Sequence, residues 1–311
     1  MLNQKVVFAI FVLSAFLISP MMQAFAFSNG QAATIVLGQN TFTTRTPTTT
    51  ATGLDWPSGI AFDSSGNLWV AESHNSRVLM YPKANLGTSG SSATIVLGQN
   101  SLTTNTADIT ATGLNWPMGI AFDSSGNLWV VDTYNSRVLM YPKANLGTSG
   151  SSATIMLGLN TFTTITPATT ATVLYGPDSI AFDSSGNLWV TDNLNNRVLM
   201  YPKANLGTSS SSATIVLGQN TFTTRTADIT ATGLHDPSGI AFDSSGNLWV
   251  ADFLNNRVLM YSDGDTDPTT NNFVNGEAAT IVLGQNTFTT NHNNGGASSL
   301  FQPLCIAFDS S

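Results

Sequence analysis

The chain has 311 residues, of which ten are Lys or Arg and eighteen are Asp or Glu, so its formal charge at neutral pH is −8. This acidic balance excludes binding to nucleic acid through a basic surface. Charged residues make up only 9% of the chain and hydrophobic residues 42%, which predicts a folded protein with a large core and an uncharged polar surface. A single cysteine, Cys305, excludes an intramolecular disulfide and a cysteine-based zinc site.

The amino-terminal residues have the features of an export signal. The run at 6–19 is almost wholly apolar but too short to span a bilayer comfortably. An Ala-Phe-Ala triplet ends at Ala26 and suits signal peptidase, which accepts small side chains there. We expect residues 1–26 to be a cleaved signal peptide and residues 27–311 to be extracellular or at the cell surface. The alternative is an uncleaved anchor, which would be the only part of the chain to associate with a membrane.

A unit of 60 residues is repeated along the chain. The sequence Ala-Thr-Ile recurs at Ala33, Ala93, Ala153, Ala213 and Ala279. A fixed period of this kind indicates a repeat array or a propeller. The repeats lie near 33–92, 93–152, 153–212, 213–278 and, incomplete, 279–311.

Each unit contains four short strand patterns. In the first complete set, 59–62 and 68–71 flank an Asp-Ser-Ser-Gly-Asn turn and predict a β-hairpin. Residues 77–81 predict a third strand, which a proline ends, and 94–97 predict a fourth. No segment has a sustained helical period. Four antiparallel strands per unit predict an all-β fold, a β-propeller of four-stranded blades.

Two segments of each unit resemble the NHL repeat. Pro-Ser-Gly-Ile-Ala-Phe-Asp-Ser-Ser-Gly-Asn-Leu-Trp-Val-Ala at 57–71 is similar to the Pro-x-Gly-Ile-Ala-Val-Asp start and Gly-Asn turn of that repeat, and Asn-Ser-Arg-Val at 75–78 to its Asn-Arg-Val centre. The resemblance covers about 33–311 and implies a β-propeller, most often six-bladed. The chain departs from the family in having a unit of 60 residues, where roughly 40 to 45 is usual for propeller blades, and in having fewer blades.

The strand order is incomplete at both ends. A lone fourth-strand pattern at 33–37 precedes the four complete sets, and a lone first-strand pattern begins at Ile306. A propeller closes by pairing strands from its two ends, so we expect the sequence to be a fragment of a protein with at least five blades. As given, it would expose unpaired sheet edges.

Most charged residues recur with the units, and we expect them to be structural. The turn aspartates should accept backbone N–H groups within their hairpins. The acid that ends each second strand should pair with the arginine five residues later, and the repeated tryptophan should pack between blades. The turn aspartates are Asp63, Asp123, Asp183, Asp243 and Asp309; the pairs are Glu72–Arg77, Asp132–Arg137, Asp192–Arg197 and Asp252–Arg257; the tryptophans are Trp69, Trp129, Trp189 and Trp249.

Two loops of each unit differ between the copies: the loop before the first strand and the loop between the second and third strands. In a propeller both emerge on the same face, and binding residues are often on loops held by a rigid scaffold. We therefore predict a ligand face here; the alternative is relaxed constraint on exposed loops after duplication. The candidate residues are Asp55, Trp56, His74, Asn115, Trp116, Tyr134, Tyr175, His235, Asp236 and Phe253.

An acidic loop occurs only in the fourth complete unit. Asp263, Asp265 and Asp267 alternate around a glycine, an arrangement that can gather oxygen ligands on a calcium ion. The loop lacks the downstream Glu of an EF-hand. The alternative is a solvated acidic loop without a metal.

The uniformity of the units favours a non-catalytic binding scaffold for a peptide, a glycan or another protein. No catalytic residue and no cofactor other than calcium is predicted, because the sequence has no nucleophile elbow, phosphate loop or zinc motif. The alternative is a hydrolase or lyase, since lactonases and lyases resemble this chain at the level of the fold. Its metal ligands at the channel mouth would come from Asp55, His74, Asn115, His235 and Asp236. A third reading is a structural surface array.

Overall fold

The computed structural model describes residues 30–262, 264, 272–293 and 296–309. The predicted signal peptide and the three aspartates of the acidic loop, Asp263, Asp265 and Asp267, lie outside these residues. The chain divides into two units, 1–34 and 35–311, and every strand discussed below belongs to the second. Within the described residues, no helix is long and apolar enough to cross a membrane.

The described residues form four antiparallel sheets, each of four strands in sequential order. This arrangement confirms the predicted four-stranded units of an all-β propeller fold. The strands are β1 Pro57–Phe62, β2 Leu68–Glu72, β3 Arg77–Tyr81 and β4 Ile95–Leu97 in the first sheet; β5 Pro117–Phe122, β6 Leu128–Asp132, β7 Arg137–Tyr141 and β8 Ile155–Leu157 in the second; β9 Pro177–Phe182, β10 Leu188–Asp192, β11 Arg197–Tyr201 and β12 Ile215–Leu217 in the third; and β13 Pro237–Phe242, β14 Leu248–Asp252, β15 Arg257–Tyr261 and β16 Ile281–Leu283 in the fourth.

The hairpin between the first two strands of each sheet is held by its turn aspartate, as predicted. In the first sheet, Asp63 Oδ1 accepts the backbone N–H groups of Ser65 at 2.9 Å and Asn67 at 3.0 Å. Gly66 has φ +81° in this turn, a conformation that glycine adopts without strain. Asp63 Oδ2 also accepts the indole N–H of Trp69 at 3.1 Å. The aspartate therefore fixes both the turn and the tryptophan that leads into the core.

The repeated tryptophans pack between neighbouring sheets, which confirms their predicted role. Trp189 is fully buried, and its ring meets Phe242 of the next sheet edge-on at a centroid distance of 5.8 Å. Trp69 and Trp129 make the same contact with the phenylalanine that ends the first strand of the following sheet. The first strands of neighbouring sheets also lie against one another. Each sheet is thus joined to the next by the same aromatic contact.

The buried ion pairs are present in all four sheets, as predicted. Arg137 Nε donates to Asp132 Oδ2 at 2.6 Å, and neither side chain is exposed. The remaining guanidinium N–H groups bond to backbone carbonyls, including those of Thr110 at 3.0 Å and Phe162 at 3.2 Å. Thr110 lies in the Thr-rich segment 101–112 before its own sheet, and Phe162 lies in the equivalent segment 161–172 after it; these segments and their copies are here called the insertions. The arginine therefore ties two insertions of the 60-residue unit to the sheet.

The lone strand patterns at the two ends form no strands, so this part of the prediction is wrong. An isolated strand has no neighbour with which to share a ladder of hydrogen bonds. The segment around Val36 is held by a loop instead: Val36 N–H donates to Ser89 Oγ at 3.1 Å, and Gly90 N–H donates to the Val36 carbonyl at 3.0 Å. Val96 of β4 is held in the same way by Ser149 and Gly150.

The first sheet has an exposed apolar side. Ile60 and Phe62 are 65% and 59% exposed, because no tryptophan among the described residues packs against Phe62. At the other end, residues 303–304 lie against β13, where Ser238 Oγ donates to the carbonyls of Pro303 and Leu304. Phe308 contacts Trp249 but remains 46% exposed. Apolar side chains are therefore exposed on the first sheet and beside the fourth.

Candidate functional site

The buried acids that pair with the arginines also position the first variable loop. One oxygen of Asp132 accepts the backbone N–H of Asn115 at 2.6 Å, while its other oxygen binds Arg137. The equivalent acids hold the backbone N–H of Asp55, Tyr175 and His235. The candidate residues at this position are therefore set on a rigid backbone, whatever their side chain.

The next residue, directly before the proline of the first strand, has a left-handed backbone in each unit. The φ values are 58° at Trp56, 58° at Trp116, 57° at Gly176 and 51° at Asp236. A bulky residue is strained in this conformation, whereas glycine is not. The first two units thus carry a tryptophan at a position where the third unit forms the same backbone conformation with glycine.

Four of the predicted residues form a continuous row of rings, here called the aromatic row: Trp56, His74, Trp116 and Tyr134. The His74 ring lies between the two indoles, 4.7 Å from each centroid. Trp116 stacks on Tyr134 at 4.8 Å with an interplanar angle of 11°. Trp56 and Tyr134, at the two ends, are 60% and 56% exposed. Because the row joins residues from both variable loops, these loops lie on one face, here called the variable face.

An acidic residue accompanies the aromatic row. Asp55 Oδ1 lies 3.2 Å from His74 Nδ1, and both side chains are about one-third exposed. The carboxylate orients the imidazole, whose plane is tilted by 30° to the ring of Trp56 and by 56° to the ring of Trp116. The structure therefore brings together Asp55 with the four rings of the row.

Two cavities adjoin the row, and one side chain lines both. A central cavity of about 280 Å³ is lined by residues of all four first strands together with Leu304 and Cys305. A second, of about 300 Å³, lies between the second and third sheets and is lined by Tyr134, Tyr175 and Leu194 among others. Asp178 of β9 faces both cavities.

Asp178 was not among the residues predicted from the sequence. Burial raises the pKa of its carboxyl to about 6. Its signal in the sequence is a difference at one position: the other three complete units have Ser58, Met118 and Ser238 where this unit has Asp178. It lies inside a strand and not in a variable loop, which is why a comparison of loops passes over it.

The other candidates lie apart from the aromatic row. His235, Asp236 and Phe253 belong to the loops of the fourth sheet, and no ring contact joins Phe253 or Tyr175 to the row among the described residues. Burial raises the pKa of Asp236, while the neighbouring His235 lowers it. Over the same part of the chain, no three His, Cys, Asp or Glu side chains are grouped so that they could hold a metal ion.

The opposite face carries repeated cavities. Two cavities of about 420 Å³ each lie between successive sheets, beside the Asp-Ser-Ser-Gly-Asn turns. Most of their lining residues are equivalent, with Asp63, Trp69 and Lys143 in one cavity and Asp123, Trp129 and Lys203 in the other. Their walls consist of the residues that build every blade, whereas the walls of the cavities at Asp178 differ from unit to unit.

Comparison with protein families identifies the repeats. The NHL repeat matches residues 54–81, 114–141 and 234–261. These matches cover the first three strands of the first, second and fourth sheets. The third sheet, which contains Asp178, is not among them. No curated protein matches the chain in sequence.

Solved structures share the fold. An auxiliary nutrient binding protein from Bacteroides ovatus is 10% identical with a TM-score of 0.51, covering 84% of this chain and 56% of its own. A catalytically inactive virginiamycin B lyase from Staphylococcus aureus, determined with quinupristin, is 16% identical with a TM-score of 0.43, covering 70% and 55%. A streptogramin B lyase is 16% identical with a TM-score of 0.41, covering 65% and 50%. The chain spans about half the length of these structures, and identities this low show the fold alone.

Proposed function

We propose that the chain, which has a propeller-like fold and three segments matching the NHL repeat, is a non-catalytic binding scaffold. Its ligand, a peptide, a glycan or another protein, would bind to the variable face through the aromatic row. The repeats provide a rigid support, and the differences between the copies are concentrated in the loops of this face.

The observation that carries the proposal is the strained, exposed tryptophan at the end of the row. Trp56 has φ 58° and is 60% exposed. A left-handed conformation costs a bulky residue about 1–3 kcal/mol, and an exposed indole returns little of this through burial. Strained residues of this kind cluster at binding sites. Trp116 repeats the arrangement one blade further on, which gives two indoles with the same backbone geometry.

The row suits ligands with flat apolar faces. Exposed aromatic rings bind such faces by stacking and by excluding water. The rings of sugars and the aromatic side chains of peptides both present faces of this kind. Asp55 and His74 add polar groups at the edge of the row, which can accept or donate hydrogen bonds to the same ligand.

We expect Trp56→Gly to lose binding while leaving the fold intact. Glycine relieves the left-handed strain but loses more conformational entropy on folding, and the exposed indole contributes little to packing. The two effects oppose each other, so the free energy of unfolding should change by less than about 1 kcal/mol. Binding to the ligand should weaken by about tenfold or more, because one aromatic side chain stacked on a flat ligand ring contributes about 1–3 kcal/mol. The ligand is first found by screening the purified protein on glycan and peptide arrays.

The matched control is Gln302→Gly, which relieves the same left-handed strain, φ 47°, at the equivalent position before Pro303 and removes no ring. It should leave array binding unchanged. Array binding by Trp56→Gly at the strength of the unaltered protein would contradict the proposed role of the row.

A hydrolase or lyase is the second candidate, favoured by the pairing of Asp55 with His74 at 3.2 Å. A carboxylate beside an imidazole is an arrangement that supports general base catalysis. To distinguish the enzyme from the binding scaffold, a ligand found on the arrays is incubated with the protein and then analysed by mass spectrometry. The binding scaffold returns the ligand unchanged, whereas the enzyme returns a cleaved or eliminated product that is absent with His74→Gln.

We further propose that the protein acts outside the cytoplasm. The support is the apolar run at 6–19 followed by the Ala-Phe-Ala triplet ending at Ala26. Amino-terminal sequencing of the protein recovered from culture medium or envelope tests this, with Phe27 expected as the first residue.

A further inference from the structure

Asp178 introduces a charge into an otherwise uncharged ring of side chains. The corresponding positions of the other units are Ser58, Met118, Ser238 and Leu304, and all of them line the central cavity with it. The carboxylate therefore lies at a place where neighbouring first strands present small or apolar groups.

The carboxylate has no partner of its own. Among the described residues, no hydrogen bond or ion pair reaches either oxygen of Asp178. The cavity between the second and third sheets holds another unsatisfied group, the buried hydroxyl of Thr133. Partly burying a carboxylate without a cation or donor is unfavourable, and a bound cationic group would remove this cost.

The walls beside Asp178 suit an organic cation rather than a bare metal ion. Tyr134 and Tyr175 provide aromatic rings, and Leu194 provides an apolar surface. Aromatic faces attract ammonium groups, and apolar walls accept the carbon chain attached to them. By contrast, a hard metal ion requires several oxygen ligands, and here only one carboxylate is present.

The third sheet is also built differently around this residue. Ser179 replaces the glycine found at Gly59, Gly119 and Gly239. Its backbone N–H donates to Thr191 Oγ1 at 2.7 Å, and this threonine in turn replaces alanine or valine in the other sheets. The third unit is moreover the complete unit that the NHL repeat does not match. Two departures from the repeat, Ser179 and Thr191, therefore lie beside Asp178 and bond to each other.

We propose that the cavity around Asp178 binds the ammonium group of an organic amine, with Tyr134 and Tyr175 enclosing the adjacent carbon atoms. This inference deepens the proposed function and rests on it, because Tyr134 belongs both to the cavity and to the aromatic row. It narrows the ligand to one that carries a primary amine next to an apolar or ring-shaped group. The net charge of −8 favours the approach of such a cation.

The protonation of Asp178 makes the proposed binding of the amine dependent on pH. Burial raises the pKa of its carboxyl to about 6, so the group loses its charge as the pH falls through that value, while an alkylamine stays protonated. The other titratable groups lining the two cavities are Tyr134, Tyr175 and Cys305. Burial and the charge of Asp178 raise the pKa of Cys305. A thiol of raised pKa stays neutral in this range.

The test compares two probes of equal shape, phenethylamine and the neutral 2-phenylethanol, by calorimetric titration of the whole chain. We expect the amine to bind about tenfold tighter than the alcohol at about pH 8, since hydrogen bonds to charged groups contribute more than neutral ones. The ratio of the two affinities should be smaller at about pH 5, where Asp178 is protonated. Asp178→Asn should abolish it, and Asp108→Asn, which removes an exposed carboxylate, should leave it intact.

Each remaining outcome overturns the inference. Equal binding of the two probes, an unchanged preference in Asp178→Asn or no binding of the amine would each exclude an ammonium site at this cavity. A circular dichroism spectrum checks that Asp178→Asn is folded, and binding of 2-phenylethanol at unchanged strength provides a second check. An absent preference for the amine would leave array binding through Trp56 standing. Array binding by Trp56→Gly at unchanged strength would contradict the proposed function whatever the two probes show.

Discussion

Replacing Arg137 by alanine is expected to lower the free energy of unfolding by about 3–5 kcal/mol, the usual cost of removing one partner of a buried ion pair. Asp132 would keep its buried carboxylate without a counter-charge. The carbonyls of Thr110, Gly113 and Phe162 would lose the donor they share. Two insertions would also detach from the sheet, and with them the backbone that holds Asn115 on the variable face.

Urea denaturation followed by circular dichroism measures this loss. The control is Arg225→Ala, which removes an exposed arginine from an insertion and should change stability by less than about 0.5 kcal/mol. Equal stability of the two variants would show that the buried pair does not organise the blade.

The pH dependence of this loss has a definite sign. Burial already raises the pKa of Asp132 to about 6, against the lowering effect of Arg137, and the pKa rises further when the arginine is removed. A carboxyl whose pKa is higher in the folded than in the unfolded state binds protons more strongly when folded, so acidification favours folding. The deficit of Arg137→Ala should therefore be smaller at about pH 5 than at about pH 8.

Trp189→Ala is expected to lower the free energy of unfolding by about 3–5 kcal/mol, the usual range for replacing a large aromatic residue in a core by alanine. Its ring is fully buried, lies 5.8 Å from Phe242 and 4.9 Å from Phe273, and its indole N–H donates to Asp183 at 3.0 Å. The substitution would open a cavity between the third and fourth sheets and remove one of the hydrogen bonds that Asp183 accepts.

The chain provides its own control for this substitution. Trp249 has the same position and the same bond to its turn aspartate, Asp243, but packs against Phe308, which is 46% exposed. Trp249→Ala should therefore cost clearly less than Trp189→Ala. If both substitutions cost the same, the contribution of the tryptophan would lie in its own hairpin and not in packing between blades.

The fold could be predicted from the sequence because its determinants are local and repeated. The Asp63 turn, the five-residue spacing from Asp132 to Arg137 and the alternation in each strand all act within one blade. Repetition then makes the pattern visible, since the same residues return 60 positions later. The structure adds that one acid serves three purposes, as Asp132 binds its arginine, Asn135 and the backbone of Asn115.

The candidate site was only partly predictable, because its geometry depends on how neighbouring blades are placed. Differences between the variable loops identified Trp56, His74, Trp116 and Tyr134 one by one. Their arrangement in one row depends on the distance between neighbouring blades, which the sequence does not give. Asp178 lies in a strand, and its lack of a partner depends on side chains contributed by other sheets. The lone strand patterns failed for the converse reason, since a strand requires a neighbour that the local pattern does not supply.

We propose that the ligand binds to the variable face, even though the larger cavities lie on the opposite face. The most direct measurement compares the affinity of an array-selected ligand for Trp116→Ala on the variable face and for Lys143→Ala on the opposite face. We expect Trp116→Ala to weaken binding by about tenfold or more and Lys143→Ala to leave it unchanged. Loss of binding in Lys143→Ala with full affinity in Trp116→Ala would place the ligand in the repeated cavities and contradict the account.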